Sequence, residues 1–94
     1  MRLILLLTLL NIISVSANAA TKTWTGAGTD ANWGTSANWT PAGAPAANDD
    51  LIFPAAAPQQ GTSNNTPLFT TYRSISVEGG TYTFGGNPLR LTNG

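Results

Sequence analysis

The chain has 94 residues, no net charge, no cysteine and no histidine. That length allows one domain at most, and the missing His and Cys exclude disulfide staples, thiol chemistry and an ordinary zinc site. With three cations against four carboxylates after residue 19, the chain has no field to draw phosphate backbones or anionic lipid heads, so neither nucleic acid nor a membrane surface is an expected partner.

Residues 1–19 read as a secretory signal peptide: Arg2 is the positive start, residues 3–15 form an apolar run, and Ala17-Asn18-Ala19 offers small residues around a cleavage point. As a helix that run would span roughly 20 Å, against roughly 30 Å of bilayer hydrocarbon, and Thr8, Asn11 and Ser14 interrupt it. The expected product is exported, secreted or at the cell surface, with no stable membrane insertion once the segment is removed.

Ten glycines and six prolines are spread through the remainder and leave no window for a sizeable helix, so the mature part is expected to be all-β. Residues 20–54 form a tryptophan-rich segment: a strand at 21–25 around Trp24, a turn-rich stretch at 29–48 carrying Trp33 and Trp39, and a strand at 51–53 ended by Pro54. Residues 55–67, made of Ala, Pro, Gln, Gly, Ser, Thr and Asn, are expected to be a polar loop with too few apolar groups to enter a core. Residues 68–94 carry the clearest alternation: Ile75 and Val77, Tyr82 and Phe84, Leu89 and Leu91, separated by Gly79-Gly80 and by Gly85-Gly86-Asn87-Pro88.

Those six apolar positions recur every seven residues, but the glycine pairs and Pro88 rule out a coiled coil. Two β arrangements fit. In an antiparallel meander, Gly79-Gly80 is a hairpin turn that sets Val77 opposite Tyr82 and Ile75 opposite Phe84. In a solenoid the same glycines are corners, and each layer buries its apolar face only by stacking on the next. The lack of staples and the stop directly after a strand-like run favour the solenoid and the leading, truncated piece of a longer coil.

The stretch Trp24-Thr25-Gly26, Asp30-Ala31-Asn32-Trp33, Asn38-Trp39, Gly43-Ala44-Pro45, Asp49-Asp50-Leu51-Ile52-Phe53 resembles the N-terminal region of bacterial secreted autotransporter-associated β-strand-repeat proteins. The stretch from Gly80 to Leu91 is similar to the rungs that follow in that family. The resemblance implies a right-handed parallel β-helix of the pectin-lyase-like type, with this chain its N-terminal cap and first rungs. It also implies surface display or adhesion by the whole protein. Downstream rungs, or an identical or related β surface, would be the partner. The long repeat array and the C-terminal membrane barrel of such proteins have no counterpart here, so self-encoded secretion is not implied.

On this reading Trp24, Trp33, Trp39 and Phe53 plug the end of the coil, and Ile75, Val77, Tyr82, Phe84, Leu89 and Leu91 line it. The competing class is a carbohydrate-binding module, with Trp33 and Trp39 as sugar-stacking faces and polysaccharide as partner. Asp30, Asn32, Asp49 and Asp50 match no calcium loop and read as turn builders. A general acid–base pair is not expected: Asp49 and Asp50 are adjacent, and neighbouring strand residues face opposite ways. The chain is therefore read as non-enzymatic, without catalytic residues, metal or cofactor. A leading fragment of a β-helical polysaccharide-degrading enzyme is the remaining alternative. Asn38-Trp39-Thr40 and Asn64-Asn65-Thr66 match the N-glycosylation pattern but read as loop polarity in a bacterial protein.

Overall fold

The computed structural model describes residues 20–92; the signal peptide expected at 1–19 lies outside them. No described helix is long and apolar enough to cross a membrane. The described chain is all-β, in small sheets with a single short 3₁₀ turn at Ser36–Asn38.

Eight strands form in chain order: β1 (Thr21–Trp24), β2 (Trp39–Thr40), β3 (Asp50–Phe53), β4 (Gly61–Asn64), β5 (Thr70–Tyr72), β6 (Ser74–Val77), β7 (Thr83–Gly86) and β8 (Leu89–Leu91). The last six repeat in order. β3 pairs with β6, β4 with β7 and β5 with β8, each pair parallel. The register sets Leu51 beside Ile75, Phe53 beside Val77, Thr62 beside Phe84 and Tyr72 beside Leu91. β1 lies parallel to β3 on the side away from β6, and the two-residue β2 runs antiparallel along the outer edge of β1.

The hairpin expected of a meander does not form. Ile75 and Val77 find Leu51 and Phe53, more than twenty residues back, rather than Phe84 and Tyr82 across a two-residue turn. Gly79 and Gly80 both take positive φ, 133° and 76°, and the backbone N–H that follows, on Thr81, donates to the Gln60 side chain (2.6 Å) rather than closing a turn.

The segment expected to be a polar loop, 55–67, contains β4. Its inward side chains Thr62 and Asn64, and Thr66 just beyond, are buried although polar. They are admitted because each is hydrogen-bonded, which removes most of the cost of burying a polar group. Thr62 accepts the Trp33 indole N–H (3.0 Å), and Asn64 accepts from the backbone and hydroxyl of Thr66. The two preceding glutamines bind the corners: Gln59 Nε2 shares its two hydrogens among the carbonyls of Gly26, Gly28 and Asp30, and Gln60 Nε2 donates to Ala55 and Ala57.

The core is aromatic. Trp24, Trp33, Trp39, Leu51, Phe53 and Tyr72 are buried to 2% exposure or less. The rings meet mostly edge to face: Trp24 and Trp39 at 5.2 Å between centroids, Trp33 and Trp39 at 6.1 Å, Trp33 and Tyr72 at 6.0 Å. All three indole N–H groups are satisfied, Trp24 by Gln59 O (2.7 Å), Trp33 by Thr62 and Trp39 by Trp33 O (2.8 Å).

Beside the tryptophans, Asn38 is fully buried and organises the loop between β1 and β2. Its Nδ2 donates to the carbonyls of Asp30 and Asn32 (3.0 Å each), and its Oδ1 accepts from Gly28 N (2.7 Å). Asn38→Ala is expected to cost about 2 kcal/mol, because three backbone groups lose their partner at once in a site closed to water. Urea unfolding followed by tryptophan emission measures it, and an unchanged midpoint would show that water replaces the side chain freely.

Candidate functional site

The two ends of the strand stack differ. At the first end every strand of the β3–β4–β5 pass is covered. β1 lies beside β3, and residues 31–33 bridge β4 through Trp33 N to Ser63 O and Ser63 N to Ala31 O, both 2.9 Å. Asn48 N reaches Thr71 O on β5 (2.7 Å). β1 in turn is closed by β2, which runs only two residues before Pro41, a residue without an N–H to offer. A short strand ending at proline is a common way to blunt a sheet edge.

At the other end, among the described residues, β6, β7 and β8 are each the last strand of their sheet. Their apolar side chains are correspondingly open: Val77 is 48% exposed, Phe84 45% and Leu91 41%, while Ile75, Tyr82 and Leu89 are half-buried. The six residues expected to line a coil therefore occupy its uncovered layer. They pack from below on the buried set of the previous pass, with the Phe53 ring 5.0 Å from Phe84 and 5.4 Å from Tyr82. Between the strands the layer is hollow. An apolar cavity of about 240 Å³ opens there, bounded by Trp33, Ile75, Phe84, Gly86, Pro88 and Leu89, with Asn64 at its floor.

Two asparagines tie this layer to the one beneath. Asn64 Nδ2 donates to Asn87 O (2.9 Å), Asn87 N donates to Asn64 O (2.7 Å), and Asn87 Nδ2 donates to Thr66 O (2.8 Å). Side-chain amides can do at a corner what strand backbone does along an edge, since each carries both donor and acceptor.

No protein family, curated protein or solved structure matches the chain.

The other sequence-selected residues are placed as follows. Trp33 and Trp39, the candidate sugar platforms, lie in the core at 1% and 2% exposure, so neither offers a face on which a pyranose ring could stack. Asn38 and Asn64, the asparagines of the two glycosylation patterns, are buried at 0% and 3%. The acidic side chains serve separate turns. Asp30 accepts from Thr35 Oγ1 (2.7 Å) and Asn32 N (3.1 Å); the Thr35 hydroxyl first, then the Asn32 amide, hold its carboxyl below the usual aspartate value. Asp49 is buried and accepts from Ala20 N (3.0 Å) and Ala46 N (2.8 Å). Asp50 accepts from the Ser74 hydroxyl and from Arg73 Nη2 (2.8 Å), which lower its pKa in that order. The Arg73–Asp50 ion pair is exposed on the arginine side and contributes little. Among the described residues no three acidic side chains gather as a metal site would require.

Sequence reasoning missed Leu51, Tyr72, Asn38, Thr62 and Asn64 as core-building residues. Tyr72 had a visible signal: it follows Thr70-Thr71 in a strand-prone run, and burial has pushed its phenol above the ordinary tyrosine value while its hydroxyl donates to Thr66 Oγ1 (3.0 Å).

Proposed function

We propose that this chain is the N-terminal capping segment and opening rungs of a right-handed parallel β-helix, and that its role is structural rather than enzymatic. The whole would be a secreted or cell-surface protein serving display or adhesion. The observation that carries the reading is the asymmetry of the stack: one end blunted by β2 and the 25–48 loop, the other presenting three open strand edges around an apolar hollow. Such an end leaves backbone N–H and C=O groups unpaired and apolar side chains wet, and a further layer of chain satisfies both. The parallel connection of β3 to β6 within one sheet supports the right-handed sense, since such crossovers are right-handed in about 98% of cases. The tryptophan cluster then acts as a plug. A buried aromatic mass at the first end substitutes for the rung that would otherwise lie beneath it.

The test joins both halves of the proposal. Expressed with residues 1–19 in a bacterium, the chain should be exported and start at Ala20 by N-terminal sequencing. In the processed chain, amides of β3 should resist hydrogen exchange while those on the outer edges of β6, β7 and β8 exchange within minutes. An unprocessed chain held in the cytoplasm, or equal protection at both ends, would overturn it.

A further inference from the structure

The uncovered end selects what covers it. Within the described chain each inward position of β3 and β4 has a counterpart in register one layer up: Leu51 with Ile75, Phe53 with Val77, Thr62 with Phe84. One position breaks the series. Asn64 fills the lumen at the end of β4, and the residue above it is Gly86, with no side chain. The apolar cavity of about 240 Å³ lies at that gap, lined by both Asn64 and Gly86. A dry apolar hollow of about 150 Å³ already suffices to bind a benzene-sized group, so this one has room for a large side chain.

We infer that the layer covering β6–β8 carries a large apolar side chain, leucine or bigger, in register with Gly86, and that its entry into the hollow is what specifies the docking of that layer. The inference rests on the layered reading proposed above and names the chemistry of the partner. A second copy of this end is the wrong shape. Two such ends placed face to face would set hollow against hollow and enclose an unfilled space about twice as large, which a packed interior does not tolerate well. A strand layer of different sequence has no such conflict. The position itself accepts a side chain: Asn64 occupies it one layer down without a positive φ, whereas Gly86 at φ 95° does not leave room for one. Continuity of the three ladders fixes the direction, parallel to β6, β7 and β8.

The experiment adds a layer to the processed chain. A copy of residues 50–73 is joined after Thr92, which follows Leu91 of β8 as Arg73 follows Tyr72, the register partner of Leu91 in β5. The copied position of Asn64, which falls in register with Gly86, is made Leu in one version and Ala in the other. Hydrogen exchange of the β6, β7 and β8 edge amides reports whether the added layer docks, and thermal unfolding reports how well it fits. Expected are protected edge amides with Leu and a Tm at least about 5 °C above that of the Ala version. A docked Ala version that melts with the Leu version would overturn the inference and leave the layered reading standing. Edge amides that exchange in both versions as in the parent chain would overturn the layered reading, and the inference with it.

Discussion

Trp33→Ala is expected to abolish cooperative folding of the processed chain. The Trp33 ring meets more of the aromatic cluster than either other tryptophan: Trp39 at 6.1 Å, Phe53 at 5.5 Å, Tyr72 at 6.0 Å and Phe84 at 6.5 Å between centroids. It is 1% exposed, and its backbone bridges β4. Removing a buried indole costs about 3–5 kcal/mol, and a core in a domain of this size seldom supplies more than about 3–5 kcal/mol in total. The two figures meet, so little folded population should survive. Loss of near-ultraviolet circular dichroism together with loss of a urea transition measures it. Trp33→Phe isolates the donor from the mass: it keeps an aromatic ring but removes the N–H that Thr62 accepts, and should cost about 1–2 kcal/mol while folding persists. Phe84→Ala, at 45% exposure on the uncovered layer, should cost clearly less than Trp33→Ala. If the order of these variants is reversed, the stability resides at the open end and the plug is not the anchor of the fold.

The contrast between Trp33 and Thr62 also explains how much of the molecule could be read from residue types. Large apolar side chains in a small, staple-free chain have few places to go except a core, and Trp24, Trp33, Trp39 and Phe53 are found together there. β1 and β3 were equally legible, because strand-prone residues are bounded by glycine and proline. β4 was not, since its core side is Thr and Asn, and their burial depends on partners such as the Trp33 N–H that arrive from far along the chain. Alternation gave the two faces of β6 but not what they meet: the pleat has the same period whether the partner is a hairpin neighbour or a strand more than twenty residues back. The seven-residue recurrence also misplaced one strand. β7 runs Thr83–Gly86, so Tyr82 precedes it and instead bonds through its hydroxyl to Pro54 O (2.6 Å). The same limit applies to the open end. Val77, Phe84 and Leu91 stood out by their alternation, but the hollow beside them, lined by both Asn64 and Gly86, leaves no mark in it, and only the register of those two residues reveals it.

Gly86 is accordingly where a single methyl group should do the most harm. It sits at φ 95°, a conformation that costs any other residue, and a Cβ built there would overlap Asn64 backbone, 2.6 Å from its N and 2.9 Å from its carbonyl carbon. Neither obstacle is the yielding tip of a side chain. Relief requires β7 to move away from β4, which breaks the parallel ladder and the Asn87 N to Asn64 O bond at the corner. Gly86→Ala should therefore cost about 3 kcal/mol, combining positive-φ strain with the lost ladder contacts. Gly85→Ala, one residue earlier, has ordinary φ and only the Thr62 carbonyl oxygen within 4 Å of a new Cβ, at 3.8 Å; it should be within about 0.5 kcal/mol of the parent. The pair is read by urea midpoints on the processed chain, with hydrogen exchange of β7 amides to locate the damage. Equal midpoints for the two alanine variants would mean that β7 is not held over β4 in this register, and the gap above Asn64 would lose its structural basis.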